Sequence, residues 1–353
     1  MAIRIEKRTT SKLGDVDFDN LVFGKIFSDH MFIADYRDGA WQDARVVPYQ
    51  NLQMPPANMT LHYAQSIFEG MKAYYQKSGK VCIFRPDDHA QRINESADRM
   101  CIPRIDPDLF KKGLFALIDI DREWVPKKEG DSLYIRPFVF ATDEHLGLRP
   151  SHTYSFMIIT TPVSAYYGKG LPAISLMSSG EYVRAGEGGT GEAKAAGNYA
   201  ASLYPLELAQ KEGYDQTLWL DGKEHRYVEE CGTMNIFFRF NDELVTPDLD
   251  GSILRGLTRD CVMTLAKEWG YTVSERKVPI EEVMEGAKNG TLKEAFGTGT
   301  AAIISPVGKI RHDAEVVTVG DGAAGELSQR LFAELSAIRH GGIEDTHNWC
   351  ALI

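Results

Sequence analysis

Paired cysteines, long apolar runs and basic clusters are all missing from this sequence. Its five cysteines, Cys82, Cys101, Cys231, Cys261 and Cys350, are scattered without a C-x-x-C pair or metal-ligand spacing. No apolar run approaches the roughly 18 residues that cross a membrane, and no basic run resembles those that follow a nucleic-acid backbone. The sequence therefore predicts neither a disulfide framework nor a metal site, a membrane span or a nucleic-acid partner.

The composition is that of an ordinary globular protein. The 353 residues are 43% hydrophobic and 25% charged, which suffices for a large core and is typical of two domains. The net charge is −11, and the first residues, Met1-Ala-Ile-Arg, lack the apolar segment of a signal peptide. The last four residues, Cys350-Ala-Leu-Ile, match a prenylation pattern without a basic segment before it, so we attribute the match to chance. We expect a cytoplasmic protein in a reducing compartment.

One lysine stands in unusual surroundings. The segment from Gly188 to Tyr199 reads Gly-Gly-Thr-Gly-Glu-Ala-Lys-Ala-Ala-Gly-Asn-Tyr, so Lys194 lies among glycines and alanines. Glycine is favoured where the chain turns unusually or another group comes close. A lysine there serves either as a point charge for phosphate or as a nucleophilic amine. A nucleotide-binding phosphate loop would need Ser or Thr directly after the lysine, but Ala195 follows it.

Strands and helices are mixed along the chain rather than regularly alternating, which favours an α+β class within the α/β group. Gly and Pro cluster between 162 and 172, where the predicted elements stop. We therefore expect a small N-terminal domain at 1–163, a linker at 164–173, and a larger domain at 174–353.

Four local predictions bear on the later argument. Asp-Gly after Arg37 indicates a hairpin between two aromatic-rich strands. Pro86 favours extended geometry at Arg85, which would close a strand. A helix should follow from Asp87 to Met100, with Asp87 or Asp88 as its cap. A second helix should run from Tyr199 to about 212, and the leucines expected to face inward are Leu203, Leu206 and Leu208.

Two segments have the character of anion sites. Arg255-Gly-Leu-Thr258 stands at a predicted helix start, where free N–H groups and a partial positive charge attract phosphate. Gly297-Thr-Gly-Thr-Ala-Ala302 adds hydroxyls and close backbone amides. Arg85 could supply the counter-charge. An amine, a phosphate cradle and a carboxylate at Glu230 together meet the needs of pyridoxal 5′-phosphate.

The chain resembles a branched-chain amino-acid aminotransferase of the class IV, fold-type IV pyridoxal-phosphate group. The resemblance covers nearly the whole chain. It is carried, in order, by Leu21-Val-Phe-Gly-Lys, Leu61-His-Tyr, Phe68-Glu-Gly-Met-Lys-Ala, Tyr134-Ile-Arg-Pro, Gly197-Asn-Tyr, Glu230-x-Gly-Thr-Met-Asn and Gly299-Thr-Ala-Ala. It implies a two-domain enzyme that exchanges the amino group of L-leucine, L-isoleucine or L-valine with 2-oxoglutarate by a ping-pong mechanism.

The resemblance also implies roles for individual residues. Lys194 is the expected Schiff-base lysine and the base that moves the substrate proton. Glu230 should face the pyridine nitrogen and keep it protonated, whereas Glu229 should point to the other face of the strand. Tyr199 should hydrogen-bond the phenolic oxygen of the cofactor. The residues expected to hold the phosphate are Arg85, Leu257, Thr258 and Thr300.

The implied substrate pocket is an aromatic wall suited to a branched aliphatic side chain. Arg136 would meet the distal carboxylate of glutamate or 2-oxoglutarate, and the amides of Ala301 and Ala302 would bind the α-carboxylate. The remaining expected contacts are Phe23, Tyr63, Phe68, Tyr134, Tyr166, Thr233 and Leu148. A pocket of this kind separates leucine, isoleucine and valine only weakly, because one methylene contributes roughly 1–3 kcal/mol.

The resemblance implies a homodimer in which Leu148 enters the pocket of the other subunit. The mammalian relatives carry a C-x-x-C redox pair after Gly-Thr-Ala, whereas this sequence has Ala302 and Ser305 there. We therefore expect that thiol switch to be absent.

The same residues also allow structural interpretations. Tyr63, Phe68, Tyr134 and Tyr166 could be core aromatics, and Arg136 could be a structural salt-bridge partner. Two other functions also compete. One is a different class IV enzyme, a D-amino-acid aminotransferase or an aminodeoxychorismate lyase, against which Phe68-Glu-Gly-Met-Lys and Tyr134-Ile-Arg-Pro argue. The other is a catalytically silent, cofactor-binding scaffold protein.

Overall fold

A computed structural model describes residues 2–165 and 170–353. Backbone contacts divide the chain into two units. Unit 1 contains Met1–Gly168, Ala193–Ala196 and Ser336–Ile353, and unit 2 contains Lys169–Glu192 and Gly197–Leu335. Four residues of the predicted linker, 166–169, lie outside the described residues. The domain limits 1–163 and 174–353 stay a prediction, because contacts group two short segments of the second range with unit 1.

Unit 1 is built on a nine-stranded sheet. Its strands are β1 (Arg4–Ile5), β2 (His30–Arg37), β3 (Ala40–Pro48), β4 (Ser66–Phe68), β5 (Met71–Tyr75), β6 (Val81–Phe84), β7 (Ser132–Ala141), β8 (Tyr154–Val163) and, at the far end of the numbering, β18 (Cys350–Leu352). The order is β1-β3-β2-β8-β7-β5-β6-β18, and β4 pairs with β7. Every pairing is antiparallel except β1 with β3.

Three α-helices belong to unit 1: α1 (Met59–Tyr63), α2 (Pro86–Arg99) and α3 (Pro107–Ile120). The predicted hairpin after Arg37 is confirmed, since β2 and β3 are joined by Asp38 and Gly39, both with positive φ. Helix α3 packs its apolar stripe on β2 and β8, where Phe110 stacks 5.7 Å from Phe156. A Cβ at Gly113 would come 2.6 Å from the Phe32 ring, so glycine is needed for this close approach.

Unit 2 is built on a second nine-stranded sheet. Its strands are β9 (Ile174–Ser178), β10 (Gln216–Leu220), β11 (Val228–Cys231), β12 (Met234–Phe240), β13 (Glu243–Thr246), β14 (Thr272–Glu275), β15 (Leu292–Gly299), β16 (Ile303–His312) and β17 (Glu315–Thr318). The order is β11-β10-β9-β16-β15-β12-β13-β14, with β17 on β16. Because β11 also pairs with β12, six of these strands close into a ring. The mixed sheets confirm the predicted α+β class.

Five further α-helices follow in the chain: α4 (Ala196–Ala201), α5 (Leu203–Lys211), α6 (Leu257–Glu268), α7 (Ile280–Asn289) and α8 (Glu326–Arg339). The helix predicted from Tyr199 to about 212 is two helices, α4 and α5. The expectation that Leu203 faces inward is wrong, because its side chain is 65% exposed. Pro205 and Ala209 are the buried residues of α5 instead.

The end of the chain corrects the expectation for the cysteines. Cys82 in β6 and Cys350 in β18 form a disulfide with their Cα atoms 5.3 Å apart. Their separation of 268 residues explains why no local spacing revealed the pair. Cys101, Cys231 and Cys261 take no part in this disulfide. Among the helices in the described ranges, none combines the length and apolarity required to cross a bilayer.

Candidate active site

Lys194 is held by its backbone on both sides. Its N–H donates to Ser96 Oγ in α2 at 2.9 Å, and its carbonyl accepts from Phe68 N at 3.0 Å. Ala195 forms an antiparallel bridge with Ile67 in β4. The amine itself lies 5.0 Å from the centre of the Phe68 ring. The lysine is therefore fixed on unit 1 as an extension of β4, with its side chain along an aromatic face.

A buried charge cluster lies behind this segment. Glu69 is fully buried and accepts two parallel hydrogen bonds from Arg92, from Nε at 2.8 Å and from Nη2 at 2.8 Å. His89 Nδ1 lies 2.6 Å from the same carboxylate. Burial alone would raise the pKa of Glu69, but Arg92 and His89 hold that pKa well below its usual range. Because the ionised carboxylate only accepts, His89 Nδ1 carries the shared proton.

Arg85 occupies the junction between β6 and α2, and its backbone corrects the sequence prediction. Its φ of 52° and ψ of 47° are left-handed rather than extended, and Arg85 itself is the N-cap of α2 rather than Asp87 or Asp88. Pro86 can begin the helix directly because the first turn needs no N–H from it. The Arg85 N–H donates to Trp349 O at 2.6 Å, and its Nε pairs with Asp88 at 2.7 Å.

The aromatic wall predicted from sequence is contiguous within unit 1. Phe23 meets Tyr134 edge to face with ring centroids 5.0 Å apart. Arg136 Nη2 donates to Tyr134 OH at 2.9 Å, and its guanidinium lies 4.6 Å from the Phe68 ring centre. In the described part of the chain Arg136 Nε is buried without a hydrogen-bond acceptor. This arrangement does not fit the alternative of a structural salt bridge for Arg136.

Three other residues were predicted to line the pocket. Tyr63 is 37% exposed, so it is not a core aromatic, and its hydroxyl donates to Leu146 O at 2.7 Å. Leu148 is 84% exposed. Tyr166 lies outside the described residues.

In unit 2, the glycine-rich segment is shaped by a close backbone approach. A Cβ on Gly191 would overlap the carbonyl oxygen of Ser252, so any larger residue would push the segment away. Arg184 Nη2 donates to the carbonyls of Gly191 and Ser252. Further along, Thr190 and Asn198 exchange two hydrogen bonds of 2.7 Å. The close approach to Ser252 thus explains the glycine at position 191 of this segment.

Glu230 is buried and bonded in unit 2. Its carboxylate pairs with Arg184 Nε at 2.7 Å and accepts from Asn235 Nδ2 at 3.0 Å. Asn235 lies directly across the ladder from Glu230, because β11 and β12 pair in that register. Only 4% of Glu230 is exposed, so it is not the surface residue that its strand position alone would suggest. An arginine this close favours the ionised carboxylate.

Glu229, the preceding residue, has a different environment. Ser252 Oγ lies 2.5 Å from Glu229 Oε1 and 2.6 Å from Asp250 Oδ1, but a hydroxyl has only one proton to donate. A proton on Glu229 satisfies both contacts. Burial raises the pKa of Glu229 to about 7, although the Ser252 hydrogen bond opposes the shift. Glu229 therefore keeps its proton in the range between its ordinary pKa of 4.5 and about pH 7.

The predicted anion cradle forms on the same end of the unit 2 sheet as Glu230. Asn235 pairs with Thr298 in β15, and its side chain donates to Leu254 O just before α6. A Cβ on Gly256, the N-cap of α6, would overlap Asn235 Oδ1. The first turn of α6, at Leu257 and Thr258, therefore lies beside the β15 end.

The other predicted residues of unit 2 lie in turns of this sheet and in α4. Thr300, Ala301 and Ala302 connect β15 to β16, and Thr233 lies exposed in the turn between β11 and β12. Tyr199 is half-buried in α4. No cluster of three or more His, Cys, Asp or Glu side chains placed to hold a metal ion occurs in the described part of the chain.

Sequence reasoning missed Arg184, Ser96 and Asn235 as site residues. Asn235 was inside a quoted motif, so its place after Gly-Thr-Met was an available signal. Arg184 comes shortly before the glycine-rich segment, but a single arginine there carries no recognisable pattern. Ser96 could not have been found, because its contact with Lys194 joins residues 98 positions apart.

Known proteins of similar sequence and structure agree on one family. A family model described as amino-transferase class IV matches residues 66–310. Branched-chain-amino-acid aminotransferase 2 of Bacillus subtilis (strain 168) is 49% identical over 98% of this chain and 96% of its own. The Escherichia coli branched-chain amino acid aminotransferase structure matches with a TM-score of 0.74 and 28% identity, covering 91% of this chain and 98% of that one. The T.th. branched-chain amino acid aminotransferase, solved with pyridoxamine 5′-phosphate, matches with a TM-score of 0.74 and 26% identity over 90% of this chain and 97% of its own.

These comparisons confirm the predicted fold-type IV class. The chain belongs to the class IV aminotransferases and, within them, to the branched-chain-amino-acid aminotransferases.

Proposed function

We propose that this protein transfers the amino group of L-leucine, L-isoleucine or L-valine to 2-oxoglutarate, using pyridoxal 5′-phosphate. The observation that carries the proposal is the placement of Lys194, whose backbone is bonded on both sides and whose amine lies along the Phe68 ring. A lysine held this firmly, in a chain of this family, is suited to join a carbonyl carbon.

The residues present fit the cofactor. The hydroxyl of Thr298 is buried without a hydrogen-bond partner in the described residues, at the end of β15 beside the first turn of α6. A phosphate at this end would meet both. Because a carboxylate has about four acceptor sites, Glu230 can meet a pyridine N–H in addition to Arg184 and Asn235. When bound, the cofactor supplies an electron sink for the carbanion formed at the substrate Cα.

The protein groups then have distinct roles in the reaction. Lys194 would hold the cofactor through its amine and would act as the base that moves the proton of the substrate Cα. Glu230 stays ionised beside Arg184 and holds a proton on the pyridine nitrogen. Tyr199 donates to the phenolic oxygen. Arg85, Thr300 and the amides of Leu257 and Thr258 bind the phosphate.

The aromatic wall and Arg136 select the two substrates. Phe23, Tyr134 and Phe68 offer an apolar surface for a branched side chain. The buried Nε of Arg136 lacks an acceptor in the described residues, and the distal carboxylate of 2-oxoglutarate would supply one. Tyr63, Tyr166 and Thr233 complete the proposed pocket, and the amides of Ala301 and Ala302 bind the α-carboxylate.

A visible absorption titration tests the proposal. The purified protein loaded with cofactor should lose its visible band on addition of L-leucine and regain it with 2-oxoglutarate. Lys194→Ala should show neither change, whereas Lys211→Ala, a control lysine paired with Glu207 on the surface, should behave as wild type. A response to D-amino acids and not to L-leucine would contradict the substrate assignment, and a normal response of Lys194→Ala would contradict the role of Lys194.

We also propose that the protein is a homodimer in which Leu148 contacts the pocket of the other subunit. Leu148, Leu146 and Leu61 are 84%, 64% and 62% exposed, which gives unit 1 an apolar surface near Tyr63. Leu148→Glu should shift the mass measured by light scattering from dimer towards monomer. A dimeric Leu148→Glu protein with unchanged activity would contradict this. The cytoplasmic location stays a prediction.

A further inference from the structure

One face of α2 carries four polar side chains that all act near the active site. Arg85, His89, Arg92 and Ser96 follow each other at spacings of four, three and four residues, which places them on one side of the helix. Ser96 accepts the Lys194 N–H at 2.9 Å, and Arg85 begins the same helix. The helix therefore links the backbone of the lysine to the arginine proposed for the phosphate.

Glu69 directly follows β4, the strand that pairs with the lysine segment, and its carboxylate binds this face of α2. It follows Phe68, whose N–H donates to Lys194 O, and its own N–H donates to Pro137 O at 2.7 Å. Its carboxylate binds Arg92 and His89, and it also accepts from Gly70 N at 3.2 Å. Lys194 is thus bonded on one side to the residue before Glu69, and on the other to the helix that Glu69 binds.

We propose that Glu69 is a positioning residue for Lys194. Through its bonds to Arg92 and His89 in α2, Glu69 fixes the lysine segment between β4 and Ser96. This inference rests on the proposed function for the role of Lys194. Glu69 touches neither substrate nor cofactor in this account. Its effect is to hold two backbone contacts of the lysine in register, and a displacement of α2 by a fraction of an ångström would loosen one of them.

The charge of Glu69 matters as well as its shape. Glu69 neutralises Arg92, which is 4% exposed and therefore receives little screening from water. Burial lowers the pKa of His89, and Glu69 opposes that shift. The positive charges of Arg92 and Lys194 also lower the pKa of His89. The cluster and the lysine are therefore close enough to interact. Without the carboxylate, Arg92 would lose its buried counter-charge beside the lysine segment.

The test compares Glu69→Gln, Ser96→Ala and a matched control, Asp121→Asn. Asp121 is a buried carboxylate of the same unit that lies 2.6 Å from His30 Nδ1 and accepts His30 N at 3.0 Å. Its carboxylate thus bonds to the start of β2, rather than to α2 or the lysine segment. The control therefore reports the cost of removing a buried carboxylate–histidine pair as such.

Two measurements are made on each protein. Amide hydrogen exchange on the cofactor-free protein reports the Lys194 N–H. We expect it to exchange about tenfold faster in Glu69→Gln and Ser96→Ala than in wild type and Asp121→Asn. The second measurement is the pH midpoint of the visible band of the loaded protein. In Glu69→Gln it should fall by about one pH unit, because the charge of Arg92, no longer balanced by Glu69, disfavours a protonated group on Lys194.

The outcomes separate this inference from the proposed function. Exchange at Lys194 that is the same in Glu69→Gln and Asp121→Asn, with the same pH midpoint, would overturn the positioning role. Faster exchange in Ser96→Ala with no change in Glu69→Gln would overturn it too, since the helix would then hold without the carboxylate. A wild-type protein that shows no visible band would refute the proposed function instead, and the exchange measurement would still decide about Glu69.

Discussion

Two buried glutamates, one in each unit, show how differently the same side chain behaves. Glu69 in unit 1 and Glu229 in unit 2 are 0% and 3% exposed. Glu69 is met by a bidentate guanidinium, an imidazole and a backbone N–H, and its pKa lies well below its usual range although burial alone would raise it. Glu229 is met mainly by one serine hydroxyl, and burial raises its pKa to about 7.

The difference shows that partners, rather than burial, set the charge of these carboxylates. A buried carboxylate with several donors keeps its charge and organises its surroundings. A buried carboxylate with one shared hydroxyl keeps a proton instead. Glu230 resembles Glu69 in this respect, because it forms an ion pair with Arg184 and accepts a hydrogen bond from Asn235.

The largest expected effect separates Glu230 from its neighbour. Glu230→Gln removes the charge that would hold a proton on the cofactor nitrogen, so kcat for leucine transamination should fall at least about 100-fold. Glu229→Gln replaces a group whose pKa is raised to about 7 and to which no catalytic role is assigned, so it should change kcat by less than about twofold. Steady-state kinetics at pH 7 measure both. Equal losses in the two variants would break the distinction between them.

A smaller effect concerns stability. Glu69→Leu leaves Arg92 buried without its carboxylate and should lower the free energy of unfolding by about 3–5 kcal/mol. Glu229→Leu removes a protonated acid and should change it by less than about 1 kcal/mol. Urea unfolding followed by circular dichroism at pH 4.5, where Glu229 still keeps its proton in the folded state, compares the two. A similar loss in both variants would mean that Glu229 is also held as an anion.

The smallest effect is a pH dependence. The folded-state pKa of Glu229 is raised from 4.5 to about 7, so its contribution to stability is fully present below pH 4.5 and is lost as the pH rises to about 7. Glu229→Gln should remove this slope, which amounts to a few kcal/mol at most. For Glu69 the sign is opposite: its contribution is present above its ordinary pKa and is lost in stronger acid. Unfolding midpoints between pH 4.5 and 8 should therefore flatten in Glu229→Gln only.

Local patterns were enough for the elements that depend on neighbouring residues. Asp38 and Gly39 predicted the β2–β3 hairpin, because positive φ at a turn is a local property. The helix predicted from Asp87 to Met100 is observed as α2, from Pro86 to Arg99, for the same reason. The resemblance also selected Glu230, whose role at the cofactor nitrogen stays a prediction.

Contacts between distant parts of the chain could not be predicted. The Glu69–Arg92 pair, the Ser96–Lys194 bond and the Cys82–Cys350 disulfide join residues 23, 98 and 268 positions apart. The backbone conformation of Arg85 could not be predicted either. The proline after it argued for extended geometry, but its N–H is bonded to Trp349 O, which the local sequence does not reveal.

The pairing of β18 with β6 has a consequence for synthesis. Val81 and Ile353 exchange two backbone hydrogen bonds of 3.0 Å, next to the Cys82–Cys350 disulfide. Unit 1 therefore needs residues 350–353 to complete its sheet, whereas all of unit 2 precedes them in the chain. During translation, unit 2 can emerge whole from the ribosome while the edge of β6 is still open. Unit 1 can therefore complete this sheet only after residues 350–353 have been made, and β6 must stay protected from wrong partners until then.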